Sequence, residues 1–368
     1  MLSLVDVRIE IGARVLVRDA TVRIRPGDKV ALVGPNGTGK TTSLRAIAGE
    51  AALAAGSVQL PERVAYLHQE AQGRSADPGD RGLAIDYLVA ASPLTAMKQE
   101  LEHLTASMST LEDGALSNAI HRFSDLQERF VHHGGYELES RAERIAHGVG
   151  LSDEELLTAV GDLSGGQRRK LDLASILLRG GDLFLLDEPT NHLDADAKKW
   201  VMDFLRETSA TVLVVSHDIR LMDSSIDRVL SLENAKIETY PGTYSSFLDQ
   251  RAAADAQQAH VAANLAKEAA RLEGTKKIFA KANATHAAKR KALQRRIDAL
   301  NDRLHEHAPR VRQRPLTIRF PEPVRTGDIA IRVVGLDKSF GDHRVLDGIE
   351  FTIERSDLLL VVGVNGAG

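Results

Sequence analysis

Asp187 and Glu188 stand side by side after an apolar run, Leu183-Phe184-Leu185-Leu186, in a sequence of 368 residues. Four apolar residues suit a buried strand and are too few for a helix of their own. Alternation along a strand sends the two carboxylates to opposite sides, so one can face a metal ion and the other a water. Pro189 has no N–H and a fixed φ, which stops the ladder. Bare buried charge is costly, so a carboxylate pair at a buried strand end calls for a cation beside it.

The partner is supplied by Gly34-Pro35-Asn36-Gly37-Thr38-Gly39-Lys40-Thr41. This stretch fits G-x-x-x-x-G-K-[ST], a phosphate-binding loop. Its glycines let backbone N–H groups wrap a phosphate, and the helix that follows points its positive end at it. Lys40 is expected to reach the β- and γ-phosphates and Thr41 to hold Mg²⁺. The candidate nucleotide-binding residues here are Gly34, Asn36, Gly37, Thr38, Gly39, Lys40, Thr41 and Thr42. A strand at Val30–Val33 and a helix at Thr42–Ala48 give the loop the setting it requires.

Leu163-Ser164-Gly165-Gly166-Gln167 precedes a helix expected over Arg168–Leu178. A hydroxyl, free N–H groups and a helix dipole make an anion-binding end. The same five residues also describe an ordinary helix N-cap with a flexible entry. Two further polar residues sit at strand ends. Gln69 follows a strand at Arg63–Leu67, and His217 follows a strand at Thr211–Val215. A glutamine there is ordinarily a plain polar strand end, and a histidine is often only a satisfied polar residue. His217, however, follows the second of two strands whose ends both carry chemistry, where open α/β sheets bind ligands.

The elements around these motifs alternate strand and helix. Residues 4–33 read as short strands, and a helix at Ala195–Arg206 separates the two strands that carry Asp187 and His217. Strands near Arg228–Leu232 and Lys236–Tyr240 close the region. Between the loop and the second anion-binding end, residues 94–150 are helical. Leu94, Met97, Leu101 and Leu104 recur at helical spacing, as do Leu116, Ile120, Phe123, Leu126 and Phe130. These stripes are expected to pack a core, and His132 and His133 to be solvated.

Apolar residues make up 43% of the chain and the net charge is −4, which fits a folded protein and not a generic polyanion binder. There is no cysteine, which excludes thiol catalysis, disulfides and cysteine-ligated metal. No signal peptide is visible and no apolar run reaches the ~20 residues of a membrane span. The default expectation is a cytoplasmic protein.

Residues 251–320 break the acidic trend with sixteen Lys/Arg against six Asp/Glu. From Arg271 to Arg296 the ratio is nine to one. Leu265, Ala269 and Leu272, then Leu293, Ile297, Leu300 and Leu304, mark a helical hairpin with a basic outer face. Such a face is either simply solvated or a seat for nucleic acid, and its one-sided sign favours the second. Phe279 is the one aromatic residue between Phe247 and Phe320, so contacts to backbone and shape are expected over base stacking.

The C-terminal piece repeats the start. Phe340-Gly341-Asp342-His343-Arg344-Val345-Leu346 echoes Ile11-Gly12-Ala13-Arg14-Val15-Leu16, and Gly363-Val364-Asn365-Gly366-Ala367-Gly368 echoes the phosphate loop. The expectation is a chain truncated just inside a second copy of the domain.

Taken in order, these motifs resemble the ATP-binding cassette (ABC) ATPases. The resemblance covers residues 1 to about 243. It implies an α/β fold: a P-loop ABC nucleotide-binding domain over 1–243, with a helical subdomain at about 71–180. A basic helical linker over 244–322 and the start of a second ABC domain over 323–368 follow. It implies ATP and Mg²⁺ as cofactors. Glu188 would polarise the attacking water, with Gln69 and His217 assisting. Thr41, Gln69 and Asp187 would serve the metal. Ser164, Gly165, Gly166 and Gln167 would serve nucleotide held by a partner domain. That partner would be the second ABC domain or another copy of the chain, and hydrolysis by this chain alone is expected to be weak. Ile11 stands where the family places an aromatic residue against adenine.

The chain resembles the F subfamily more closely still, through Asp187-Glu188-Pro189-Thr190-Asn191-His192-Leu193-Asp194, Gly134-Gly135-Tyr136-Glu137-Leu138, and Pro241-Gly242-Thr243-Tyr244 before the basic linker. That implies action on the ribosome without a membrane domain, the linker facing rRNA and the P-site tRNA. Members serve as translation factors or protect ribosomes from antibiotics. The alternative is the ATPase subunit of an ABC transporter.

Overall fold

The computed structural model describes residues 1–69, 82–109, 111–280, 287–306, 329–341, 343–355 and 357–361. They divide into two units, one built on Met1–Tyr244 and one on Ser245–Gly335.

The first unit opens with an antiparallel pair, β1 (Leu2–Ile11) and β2 (Arg14–Ile24), whose turn uses Gly12 at φ 58°. Alternating burial along β2 (Leu16, Ala20, Val22 and Ile24 inward) gives this small sheet one apolar face. Next come β3 (Lys29–Val33), α1 (Lys40–Ile47), β4 (Ala55–Gln59) and β5 (Val64–Leu67). β4 pairs with the free edge of β1. The helical stretch contains α2 (Ala84–Ala90), α3 (Pro93–Met108), α4 (Asp113–His132), α5 (Leu138–Gly148), α6 (Asp153–Leu156) and α7 (Gly165–Arg179). β6 (Leu183–Asp187), α8 (Ala195–Glu207), β7 (Thr211–Val215), α9 (Ile219–Ser224), β8 (Arg228–Glu233) and β9 (Lys236–Pro241) complete the unit.

The main sheet runs β5-β6-β7-β3-β8-β9. Its pairs are parallel except β8 with β9, which is antiparallel. β3, β6 and β7 are buried along their whole length, as continuous apolar runs in a parallel sheet must be. Because they are parallel neighbours, their C-terminal ends open on one edge. The phosphate loop therefore meets Asp187 and Ser216-His217 although the sequence places both roughly 150 residues or more beyond it.

Three local expectations are corrected. Helix α7 begins at Gly165, not Arg168, because Ser164 and Gln167 form a capping box that satisfies the first free N–H groups. The strand alternation invoked for the two carboxylates stops at Asp187. Glu188 adopts φ 52°, a left-handed conformation that turns its side chain out of the strand pattern. In the α3–α4 hairpin, Leu94, Leu104, Leu126 and Phe130 are buried, but Ile120 is 48% exposed. Two helices packed on each other bury a narrower stripe than the spacing alone suggests.

In the second unit, α10 (Tyr244–Ala280) and α11 (Ala287–Glu306) bury Ala269, Ile297 and Leu300. Lys276 bonds to Gln294, and Arg296 lies 3.4 Å from Glu268. Lys267, Arg271, Lys291 and Arg295 are exposed. Beyond it, β10 (Ile329–Phe340) and β11 (His343–Glu354) pair with each other. Their turn carries Gly341 at φ 59°, matching Gly12 in the first hairpin. The echo of the phosphate loop at 363–368 lies outside the described residues. Among the described residues, no helix is long and apolar enough to cross a membrane.

Candidate active site

The loop after β3 is shaped by its own side chains. Thr38 Oγ1 donates to the Pro35 carbonyl at 2.9 Å. Lys40 Nζ folds back to donate to the carbonyls of Gly34 (2.8 Å) and Pro35 (3.2 Å). Gly39 caps α1 at φ 99°, and a Cβ there would stand 2.8 Å from Leu16 Cδ1, so both conformation and space require glycine.

A cavity of about 570 Å³ lies over this loop. From the expected set it gathers Asn36, Gly37, Gly39, Lys40, Thr41, Thr42, Gln69, Asp187, Glu188 and His217. Gly34 and Thr38 support the loop without lining the cavity. Both carboxylates face it, because the left-handed turn at Glu188 cancels the strand alternation. Thr41 Oγ1 donates to Gln69 Oε1 at 3.2 Å, which ties the start of α1 to the end of β5.

Asp187 is fully buried, and neither of its carboxylate oxygens has a hydrogen-bond partner. Burial pushes its carboxyl up; Thr41, Arg169 and Lys40 nearby oppose the rise. Thr41 is close enough to moderate the charge but bonds to Gln69 instead. An orphaned buried carboxylate is expensive unless a cation belongs there. The donor set of Asp187, Thr41 and Gln69 is all oxygen, which suits a hard ion such as Mg²⁺. The residues present therefore fit that metal.

Glu188 is 6% exposed. Its amide donates to the Val215 carbonyl at 2.8 Å, and its Oε2 accepts from the His217 amide at 3.2 Å. The His217 Nε2 lies 3.4 Å from the other oxygen. Burial pushes the Glu188 carboxyl up, the His217 amide and ring oppose this, and Asp187 adds to it. Burial pushes Lys40 down, against Glu188 and Asp187. A cation and two carboxylates are thus held in one half-closed cavity, where charges act more strongly than in water.

Ser164, Gly165, Gly166 and Gln167 do not line this cavity. Ser164 Oγ accepts from the Gln167 amide (3.3 Å), and Gln167 Oε1 accepts from the Ser164 amide (2.7 Å). Gln167 Nε2 continues to Glu155 at 2.5 Å. Within this chain the segment is a helix cap, with Ser164 and Gly165 exposed.

Sequence reasoning missed Arg14, Asn191 and Arg169. Arg14 and Asn191 line the cavity, and Arg14 Nη2 donates to the Gly37 carbonyl at 3.0 Å. Arg169, buried in α7, donates to the Asp187 carbonyl at 3.3 Å. Asn191 stands three residues after Glu188 in the same motif, whereas no spacing rule links Arg14 or Arg169 to the carboxylates, and only the fold reveals those two.

A family model described as "ABC transporter" matches residues 17–191, and a second of the same description, for an extension of that domain, matches 230–320. The chain is 33% identical to the probable ATP-binding protein YheS of Escherichia coli (strain K12), over 100% of this chain and 55% of that protein. It is 31% identical to the energy-dependent translational throttle protein EttA of Escherichia coli O6:H1, over 96% and 62%. It is 27% identical to ABC transporter F family member 5 of Arabidopsis thaliana, over 96% and 51%. The chain thus spans little more than half the length of these relatives. With the phosphate loop, the carboxylate strand end and both family matches in place, the chain carries an ABC ATPase domain followed by the extension that accompanies it.

Proposed function

We propose that this chain binds Mg²⁺-ATP, hydrolyses it with a partner cassette, and uses the cycle to act on the ribosome during translation. The observation that carries the ATPase reading is the pair of unpartnered Asp187 oxygens beside Lys40, Thr41 and Gln69. Bound Mg²⁺ supplies charge neutralisation of the phosphates and orients them. Asp187, Thr41 and Gln69 would hold that ion. Lys40 and the loop amides hold phosphate oxygens. Glu188 accepts a hydrogen bond from the attacking water and takes its proton, and His217 keeps the carboxylate aimed. Ser164, Gly165, Gly166 and Gln167, of which Ser164 and Gly165 are exposed and none lines the cavity, are offered to nucleotide on a partner cassette, either a second ABC domain or another copy.

The ribosomal part rests on the basic helical hairpin and on relatives whose names include a translational throttle and an F-family member. Lys267, Arg271, Lys291 and Arg295 give it a phosphate-seeking face for rRNA or tRNA.

The test uses the Glu188→Gln chain with ATP, which is expected to hold the ATP-bound state. Sedimentation with 70S ribosomes should bring it down, with an association that weakens as salt rises. Ribosome-free supernatants, together with capture by solubilised membrane proteins, would instead support a transporter subunit.

A further inference from the structure

A second cavity, of about 640 Å³, lies in the helical stretch and shares no residue with the first. Its walls come from α3, from α4 and from the turn into α5. Lys98, Leu101, Glu102 and Thr105 recur at helical spacing along one face of α3, and Phe123, Gln127 and Phe130 along one face of α4. On the α3 side Thr105 and Ala106 are short side chains, and they leave room that larger ones would fill.

The lining has two chemical parts. The first is a set of rings. Phe130 packs so closely on Gly135 that an added Cβ would overlap it. Tyr136 stands edge-on to Phe130, with ring centroids 5.4 Å apart, and is 76% exposed. Phe123 is half-buried one helical step away from Gln127. The second part is charge. Glu102 and Glu139 line the cavity with a single cation, Lys98. Lys98 lies 3.7 Å from Glu139, and among the described residues Glu102 has no ion-pair partner.

A concave, mainly apolar space of roughly 300–1,000 Å³ with a few polar groups is the usual form of a small-molecule site. The faces of aromatic rings are the negative part of their quadrupole and attract cations. Glu102 adds a full negative charge on the same lining. An anion would meet both as repulsion. Independently of the nucleotide reading, we propose that this cavity is a second ligand site, which takes a small organic cation with an aromatic body. Phe123, Phe130 and Tyr136 receive the rings, and Glu102 receives the charge.

The test titrates the full chain, freed of nucleic acid, with berberine, a planar aromatic cation whose fluorescence rises in apolar surroundings. Anilinonaphthalene sulfonate, an anion of similar size, is the control. Berberine should bind saturably at one site and more tightly than the anion. Ala106→Trp fills the cavity and should weaken berberine by at least about tenfold. Glu102→Gln, an exposed change that does not threaten folding, should weaken it by about three- to tenfold and leave the anion no weaker. Unaltered helical circular dichroism in both variants shows that the fold is retained. Mg²⁺-ATP should not displace berberine. Absence of saturable binding, or equal affinity for the two probes, would overturn the proposal. So would berberine binding that neither substitution changes, since the probe would then lie elsewhere. Displacement by Mg²⁺-ATP would put the probe in the first cavity and overturn it too, while leaving the nucleotide reading intact.

Discussion

The backbone amide of His217 donates to Glu188 Oε2 at 3.2 Å while the imidazole of the same residue sits 3.4 Å from Oε1. One residue steers the carboxylate twice, and a side-chain substitution removes only one of the two contacts. Glu188 itself is held at φ 52° by a bond from its amide to Val215. A strained non-glycine residue at a cavity wall is a mark of function.

Glu188→Gln should therefore keep nucleotide binding and lose at least about 100-fold in turnover, the scale of a missing general base. His217→Ala should cost less, because the amide still aims the carboxylate. Single-turnover phosphate release set against equilibrium binding separates the two effects. Wild-type turnover in the Gln variant would remove Glu188 from the chemistry.

Asp187→Asn should trade function for stability. It deletes a buried charge whose oxygens have no partner, so the ligand-free protein should gain about 1–3 kcal/mol. The same change should remove the Mg²⁺-dependent part of nucleotide affinity. Thermal unfolding without ligand and titration with and without Mg²⁺ provide both readouts.

Asp172 lies in α7, and burial pushes its carboxyl up to about 6, against Arg169 and His68. The folded state thus binds this proton more tightly than the unfolded chain, whose aspartate titrates near 3.9. Its contribution to stability is intact below about pH 4 and declines as pH rises to about 6. Asp172→Asn should match wild type at low pH and exceed it by about 3 kcal/mol above pH 6. Denaturant melts at several pH values test this, and a constant difference would show that Asp172 does not titrate in that window.

Gly148, the last residue of α5, packs against the ring of Trp200 in α8 so closely that an added Cβ would overlap it. Gly148→Ala should cost about 1–3 kcal/mol through overpacking. Trp200 is the chain's single tryptophan, so its emission should shift with the substitution. An unchanged spectrum together with unchanged stability would mean that the ring yields at no cost.

Much of the machinery could be read from residue types and spacing. The loop from Gly34 to Thr41, the strand before Asp187 and the polar strand ends at Gln69 and His217 are local patterns, and local patterns follow from backbone geometry and burial. The hairpin stripes were legible in period but not in width, as Ile120 shows. The second anion-binding end illustrates a sharper limit. Ser164 and Gln167 are equally a helix cap and a ligand site in sequence, and the fold realises the cap within this chain.

Local chemistry determined that this protein has a phosphate loop, a carboxylate pair and a basic helical segment. The tertiary structure decided what meets what. Parallel pairing of β3, β6 and β7 brings Lys40, Asp187 and His217 to one sheet edge, and the β1–β2 hairpin sets Arg14 over Gly37. It also turned Asp187 and Glu188 to the same cavity, where strand alternation had separated them. The physical reason is that sequence patterns encode the preferences of a few adjacent residues. Contacts across 20 to 200 residues come from the register of the sheets, which the whole buried core fixes together.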